Sequence, residues 1–239
     1  MVKPAIPAEV YASERDFWDK MATILKYKVY VKGVQEDYAH EYVIREIWAT
    51  CAYDRIMRPS EGDVVIDAGA HMGAFTVRAS QMVGESGKVY AFEPFPESFS
   101  YLALNTEKLK NVQIFQTALW SSETIKTLHL AGNTGGHSLI DNLYEISPVD
   151  RSDYKSSISV PTTYLDKVVA GKVDFIKIDV ECSELEVLKG AAHILENYHP
   201  FISIEIHTVP LVNEVGSLLA KYGYKRGPPS PVFTYSVGF

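Results

Sequence analysis

The chain has 239 residues, of which 46% are hydrophobic, and its formal net charge is −7. A chain of this length fits one α/β domain with a single core. The acidic balance gives no overall electropositive surface of the kind that binds nucleic acid, so we expect no nucleic-acid partner. Cys51 and Cys182 are the only cysteines, which excludes a disulfide framework and a cysteine-rich zinc site.

The first part of the chain has a mainly helical pattern over residues 10–57, clearest over 41–57, with a short strand predicted at 27–31. The start lacks the continuous apolar core of a signal peptide, and no apolar run approaches the roughly 20 residues of a membrane span. We therefore expect a soluble, cytoplasmic protein without a transmembrane segment, in which residues 1–60 form a helical cap on the domain over residues 61–239.

From residue 63 onward, predicted strands alternate with predicted helices. The strands are expected at 64–67, 88–92, 112–119, 175–179 and 201–206, and the helices at 74–83, 96–109, 183–197 and 211–222. This alternation predicts right-handed βαβ units and a mainly parallel sheet. Two closing strands, near 224–225 and 232–237, are too close in sequence for a helical crossover, so they predict an antiparallel hairpin at one edge of the sheet.

Residues 120–162 interrupt the alternation. Short strands are predicted at 124–130 and 157–160, and residues 131–138 between them are polar and glycine-rich. Long irregular segments in compact domains are usually functional, so we expect the loop around residues 133–138 to close over a substrate. His137 lies in this loop and is expected to be solvated.

The turn after the first predicted strand reads Asp67-Ala-Gly-Ala-His-Met-Gly73. Gly69 and Gly73 let the backbone approach a ligand closely at the N-terminus of the next helix. The middle glycine of a dinucleotide fingerprint is missing, and the Asp67 carboxylate would repel a pyrophosphate. S-adenosylmethionine suits this turn better, because it carries two cationic groups and no phosphate. His71 and Met72 are expected to pack the turn.

A second acid, Glu93, ends the next predicted strand. A carboxylate at this position can accept hydrogen bonds from both hydroxyls of an adenosine ribose. Glu93 lies at the position that corresponds to the ribose-binding acid of dinucleotide folds, about 20 residues beyond the glycines. The two glycines, Asp67 and Glu93 together indicate a nucleotide-like cofactor.

Charged side chains alternate at the ends of two later strands. Lys177, Asp179 and Glu181 share one face of the first, and Glu205 and His207 share one face of the second. Ligands of α/β sheets bind beyond the carboxyl ends of the strands, so we expect these groups to converge on one crevice.

Methyl transfer to an alcohol requires a base for the hydroxyl proton, and the sequence leaves Glu181 and His207 open for that role. Asp179 is placed to contact the cofactor or the acceptor, and Glu205 to face the same crevice. Lys177 is expected to pair with an acid inside the sheet. Acids at the start of a helix favour its positive end, so we expect no functional role for Glu184 and Glu186, while Cys182 is expected to pack.

The turn over residues 67–73, Glu93-Pro94, Gln116-Thr-Ala-Leu119 and above all the block over residues 176–190 resemble the FkbM family of class I S-adenosylmethionine-dependent methyltransferases. The resemblance runs from about residue 62 to residue 207. It implies an α/β, Rossmann-like, seven-stranded mixed sheet with an antiparallel last strand and helices on both faces.

The resemblance also implies O-methylation of a hydroxyl on a sugar, a lipid or another small metabolite, with S-adenosylhomocysteine as product. The residues that would line the cofactor are Asp67, Gly69, Ala70, Gly73, Glu93, Asp179 and, near the adenine, Ala118. The chain departs from the family pattern at Cys182, where glycine is usual, and at His71, where asparagine is frequent. The larger Cys182 side chain is expected to reshape the acceptor pocket.

Three alternatives have different chemistry. Asp179, Glu181, Glu205 and His207 are ligands suited to magnesium or manganese, which would make the enzyme metal-assisted. A module that binds the cofactor or a metabolite without turnover would gain nothing from several uncompensated carboxylates. An NAD-dependent oxidoreductase is disfavoured by the glycine spacing.

Overall fold

The computed structural model of the chain describes residues 46–132, 136–141, 156–228 and 232–237. The strand predicted at 27–31, the helical pattern up to residue 45 and residues 133–135 of the predicted lid lie outside the described residues. Within the described residues, the helix predicted over 41–57 is represented only by a π-helical turn, Glu46–Thr50. The prediction is wrong beyond it, because Cys51 has a left-handed φ of 56° and irregular turns follow.

The described residues contain ten strands. They are β1 (Val64–Ala68), β2 (Lys88–Phe92), β3 (Val112–Phe115), β4 (Ala118–Leu119), β5 (Ile125–Leu130), β6 (Ser156–Thr163), β7 (Phe175–Ile178), β8 (Phe201–Ile204), β9 (Lys225–Arg226) and β10 (Phe233–Ser236). Seven of them form one sheet in the order β3-β2-β1-β7-β8-β10-β9. The first five strands of that order are mutually parallel, and β10 is antiparallel to both of its neighbours. The predicted seven-stranded mixed sheet with an antiparallel last strand is therefore confirmed.

The described helices are α1 (Ala74–Val83), α2 (Pro96–Thr106), α3 (Leu165–Val168), α4 (Glu184–Lys189), α5 (Ala192–Asn197) and α6 (Val209–Lys221). Apolar side chains from alternate positions of the central strands form two separate core clusters. Val65, Phe175 and Phe201 belong to one, and Ile66 and Ile176 belong to the other. The expectation of a single core is therefore wrong, because alternate strand residues point to opposite faces of the sheet. None of the helices in the described ranges is both long and apolar enough to cross a bilayer.

Two predicted elements are divided in the structure. The helix predicted over 183–197 is broken at Gly190, where a Cβ would lie 2.2 Å from the backbone oxygen of Trp120. The strand predicted over 112–119 divides into β3, in the main sheet, and β4, which pairs with β6 in a separate three-stranded sheet. The strands predicted at 124–130 and 157–160 are confirmed as β5 and β6, which pair antiparallel.

Candidate active site

A cleft opens beyond the carboxyl ends of β1, β2 and β7, with about 890 Å³ of empty space that includes open solvent. Its lining includes these predicted site residues: Gly69, Ala70, Glu93, Ala118, Asp179 and Glu181. Further lining residues were not predicted as site residues from the sequence: Glu46, Ile47, Tyr53, Phe75, Leu128, His137, Leu139 and Ser183. Of these, His137 lies in the loop that was expected to cover a substrate. The parallel arrangement of the three strands brings the residues that follow them, Gly69, Ala70, Glu93, Asp179 and Glu181, to one edge of the sheet.

Gly69 is required at the turn that follows β1. Its φ is 75°, and a Cβ there would lie 1.7 Å from the backbone oxygen of Asp179. The amides of Gly69 and Ala70 donate to the Phe92 carbonyl at 3.1 and 2.9 Å, which fixes the turn against the end of β2. Gly73 serves a different purpose, since it precedes α1 with a φ of 91° and packs on Leu102, away from the cleft lining.

Asp67 lies beneath the cleft and is fully buried. Its Oδ2 accepts from the Thr76 hydroxyl at 2.6 Å, and its Oδ1 lies 3.1 Å from Lys177 Nζ. Burial raises the pKa of Asp67, and Lys177 and Thr76 oppose the rise. Lys177 also donates to the Gly69 carbonyl at 2.6 Å, so the predicted pairing of Lys177 with an acid inside the sheet is confirmed, and the pair braces the turn.

Glu93 is buried at the end of β2 and faces the cleft. Its two carboxylate oxygens accept from the amides of His71 and Phe95, each at 2.8 Å. Burial raises the pKa of Glu93 to about 7, although both amides oppose the rise. Each oxygen keeps a second lone pair, so the carboxylate fits a pair of ribose hydroxyls.

Replacing Glu93 with Ala is expected to weaken the binding of S-adenosylhomocysteine at least about tenfold, because hydrogen bonds to a charged group are lost. Calorimetric titration of the purified protein measures this effect. Glu97→Ala, an exposed acid in the first turn of α2, is the matched control and should bind as the wild type does. Equal affinities of the wild type and Glu93→Ala would contradict the ribose role.

Asp179, Glu181, Glu205 and His207 lie together beyond β7 and β8. The Nε2 atom of His207 is 3.8 Å from Asp179 Oδ1, 3.4 Å from Glu181 Oε2 and 3.8 Å from Glu205 Oε1. Glu181 itself has a left-handed φ of 49°, which turns the chain sharply after β7. The expected convergence of these residues is therefore present in the structure.

Glu184 corrects one expectation from the sequence. Its side chain is fully buried, and its Oε1 accepts from the Cys182 amide at 3.0 Å and lies 2.8 Å from His207 Nδ1. A carboxylate on Nδ1 fixes the orientation of the ring and directs Nε2 toward the other acids. Glu184 is thus more than an acid at a helix start, because it orients His207.

The charges in this cluster shift the pKa values of its members. Although burial lowers the pKa of His207, the hydrogen bond to Glu184 and the nearby carboxylates raise it to about 10. Burial raises the pKa of Glu181 to about 8, and Asp179 adds to the rise. Burial also holds the pKa of the Tyr53 phenol well above its usual value. His207 and Tyr53 are therefore protonated at neutral pH.

These shifts predict how stability depends on pH. Burial raises the pKa of Glu46 and Glu93 to about 7 and that of Glu181 to about 8, and the pKa of His207 is raised to about 10. The folded protein binds these protons more tightly than the unfolded chain, so their stabilisation is present at low pH and is lost as pH rises through the folded pKa values.

The melting temperature is accordingly expected to fall between about pH 6 and about pH 9. Thermal unfolding at constant ionic strength measures this trend. A melting temperature that rises with pH over the same range would show that these groups are not protonated more strongly in the folded state.

Three side chains outside the predicted site also need comment. His137 lines the cleft and packs edge-on against Phe95 with ring centroids 4.3 Å apart, so the expectation that it is solvated is wrong. Met72 is fully buried and packs the turn as expected. Cys182 packs with Leu211 as expected, and its φ of 75° lies in the region that favours the glycine usual in the resembling family.

Comparison with known proteins identifies a family and several methyltransferases of similar sequence. The Methyltransferase FkbM domain matches residues 67–226. Hexuronic acid methyltransferase AglP of Haloferax volcanii is 27% identical over 167 residues, which cover 67% of this chain and 63% of that protein. The 31-O-demethyl-FK506 methyltransferase FkbM of Streptomyces tacrolimicus is 26% identical over 219 residues, which cover 77% of this chain and 81% of that protein.

Among solved structures, methyltransferase FkbM from Methylobacillus flagellatus has the same fold, with a TM-score of 0.57 and 15% identity. The match covers 92% of this chain and 58% of that one, so the chain spans less than two thirds of the Methylobacillus protein and of AglP. The matched domain occupies more than half of the sequence. The chain therefore belongs to the FkbM family of class I S-adenosylmethionine-dependent methyltransferases.

Proposed function

We propose that the protein transfers a methyl group from S-adenosylmethionine to a hydroxyl group of a sugar or another small metabolite. The observation that carries this proposal is the adjacency of two features in one cleft. The glycine turn and Glu93 suit the cofactor, and Glu181 and Asp179 stand beside them, where a hydroxyl proton must be removed.

The cofactor supplies an electrophilic methyl group on a good leaving group, so the protein needs chiefly to position the reactants and remove one proton. Gly69, Ala70, Glu93 and Ala118 would hold the cofactor, and Asp179 would border it. Asp67 and Gly73 would act indirectly, by bracing the turn and by packing the start of α1.

Between the two bases that the sequence left open, we favour Glu181. The pKa of His207 is raised to about 10, so at neutral pH both of its ring nitrogens are protonated and neither can accept the hydroxyl proton. The pKa of Glu181 is raised by burial to about 8, close to the operating range of a general base. Glu181 Oε2 would take the hydroxyl proton. The protonated His207, whose Nε2 lies 3.4 Å from that oxygen, would stabilise the ionised form of Glu181 before the transfer.

The charge of the cleft suggests the kind of acceptor. Glu46, Glu93, Asp179 and Glu181 line it together with one lysine, Lys177. Burial raises the pKa of Glu46 and Glu93 to about 7 and that of Glu181 to about 8, so these carboxylates are largely ionised only above about pH 8. There the cationic cofactor would balance part of the negative charge, but an acceptor carboxylate would be repelled. We therefore expect neutral hydroxyl acceptors to be preferred over hexuronic acids, although AglP is named for a hexuronic acid.

A screen with methyl-labelled S-adenosylmethionine tests this function. It compares neutral glycosides such as methyl glucoside, hexuronates such as glucuronate, and lipid-like alcohols, with S-adenosylhomocysteine release as the signal. Transfer to a neutral hydroxyl supports the proposal. Efficient transfer to hexuronates alone would contradict the charge argument, and transfer to none of these classes would contradict the proposed acceptor.

A metal-assisted variant of the same reaction is the second candidate. Ligand atoms of Asp179, Glu205 and His207 all lie within 4.8 Å of one another. A magnesium or manganese ion there would polarise the acceptor hydroxyl. Exhaustive chelation separates the two schemes, because it leaves a metal-free reaction unchanged and abolishes a metal-assisted one until the metal is restored.

Three further proposals concern the cellular location, nucleic-acid binding and the N-terminal residues. We propose that the protein acts in the cytoplasm. The net charge of −7 supports the separate proposal that it has no nucleic-acid partner. We also propose that residues 1–60 cap the domain over residues 61–239. Fluorescence localisation, a nucleic-acid binding assay and limited proteolysis test these expectations in turn.

A further inference from the structure

Tyr53 lies N-terminal to the matched domain over residues 67–226, yet it lines the cleft. Its side chain is buried, and its hydroxyl lies 2.9 Å from Asp179 Oδ2 and 2.7 Å from Glu205 Oε2. A phenol has one proton to donate, and both carboxylate oxygens lie within hydrogen-bond distance of it, so the Tyr53 hydroxyl holds the two carboxylates around one point.

Tyr53 and His207 contact different oxygens of the same two acids. Tyr53 bonds Asp179 Oδ2 and Glu205 Oε2, whereas His207 Nε2 faces Asp179 Oδ1 and Glu205 Oε1, each at 3.8 Å. A separation of 3.8 Å is too long for a hydrogen bond. Within the described part of the chain, Oδ1 and Oε1 therefore keep their lone pairs for a hydroxyl group that enters the cluster. The Tyr53 contacts thus fix the two carboxylates without using these oxygens.

The segment that carries Tyr53 is anchored by buried charges. Asp54, the next residue, is 1% exposed and pairs with Arg78 of α1 at 2.8 Å. The Tyr53 ring packs edge-on against Phe75, with centroids 6.0 Å apart, and Lys177 Nζ lies 5.2 Å from its centre. The hydroxyl is therefore held in place by contacts that do not involve the acids it orients.

We propose that Tyr53 is a positioning residue for methyl transfer, which orients Asp179 and Glu205 so that their free oxygens face the acceptor hydroxyl. The inference rests on the proposed function and extends the site beyond the family domain. It gives a positioning role to Tyr53, which lies outside residues 67–226 of the family match.

Tyr53→Phe removes only the hydroxyl and is the variant of choice. Tyr224→Phe is the matched control, because Tyr224 is also buried and its hydroxyl donates to the Pro200 carbonyl at 3.0 Å, under β8 rather than in the cleft. With methyl glucoside as the acceptor probe, we expect Tyr53→Phe to lower kcat about tenfold or more. The affinity for S-adenosylhomocysteine should stay within about twofold, and Tyr224→Phe should keep the wild-type kcat.

A double-mutant cycle separates positioning from a general structural effect. If Tyr53 acts through Glu205, adding Tyr53→Phe to Glu205→Gln should lower kcat much less than it does in the wild type. Full additivity, or a wild-type kcat in Tyr53→Phe, would overturn the inference.

Crystal structures of wild-type protein and Tyr53→Phe with S-adenosylhomocysteine give a readout that needs no acceptor. We expect the Asp179 and Glu205 carboxylates to move apart in the variant, and unchanged carboxylates would overturn the inference. Absence of turnover of methyl glucoside by the wild type would exclude this glycoside as the acceptor, and the crystal structures would still decide the role of Tyr53.

Discussion

Replacing Glu181 with Gln is expected to lower kcat about a hundredfold or more, because the side chain keeps its size and loses its ability to accept the hydroxyl proton. Affinity for S-adenosylhomocysteine should change little, since the substitution leaves Glu93 and the glycine turn intact. Steady-state kinetics with an acceptor from the screen, together with calorimetry, measure the two effects separately.

The pH profile of the same variant provides a second test. Burial raises the pKa of Glu181 to about 8, so the wild-type rate should increase with pH as this proton is lost. Glu181→Gln should lack that increase. Glu196→Gln, an exposed acid of α5, is the control and should keep both rate and profile.

Glu205→Gln and His207→Gln extend the test to the other members of the cluster. At least one of them is expected to lower kcat about a hundredfold with cofactor affinity preserved. Near-normal turnover in Glu181→Gln, Glu205→Gln and His207→Gln alike would exclude this crevice as the place where the acceptor proton is removed.

Gly69→Ala is expected to have the largest effect on the fold of the cofactor turn. The new Cβ would lie 1.7 Å from the backbone oxygen of Asp179, so either the turn or the end of β7 must move. We expect the free energy of unfolding to fall by about 3 kcal/mol or more, from overlap and left-handed strain together. Denaturant titration measures the stability, and calorimetry with S-adenosylhomocysteine should detect no binding.

Gly223→Ala is the matched control for this substitution. Gly223 has a φ of 81°, close to the 75° of Gly69, but a Cβ there would meet nothing within 4 Å. It should therefore lose only about 1 kcal/mol, the cost of placing a side chain in left-handed backbone. Equal losses in the two variants would show that the contact with Asp179 does not matter.

The strands of the main sheet were predictable because apolar residues alternate along them. Ile176 and Ile178 of β7 pack in one core, while Lys177 points to the opposite face. The division between β3 and β4 was not predictable, because the apolar pattern continues through residue 119. The pairing with β2 ends at Phe115, and Ala118 pairs instead with Thr162 of β6. This pairing depends on tertiary contacts that the sequence pattern does not show.

The site residues that directly follow strands of the main sheet were predictable. Asp179 and Glu205 follow adjacent parallel strands, so their convergence could be expected. Tyr53 could not be found this way, because it lies 126 positions from Asp179 in a segment without a strand. Glu184 was misinterpreted because an acid at a helix start is common, and its burial against His207 depends on tertiary contacts.

A crystal structure of the protein with bound S-adenosylmethionine tests the central claim most directly. We predict that the ribose hydroxyls contact Glu93, that the adenine lies beside Ala118, and that the sulfonium methyl group points toward Asp179 and Glu181. A cofactor that occupies the cleft without contacting Glu93, or whose methyl group points away from these acids, would contradict the account.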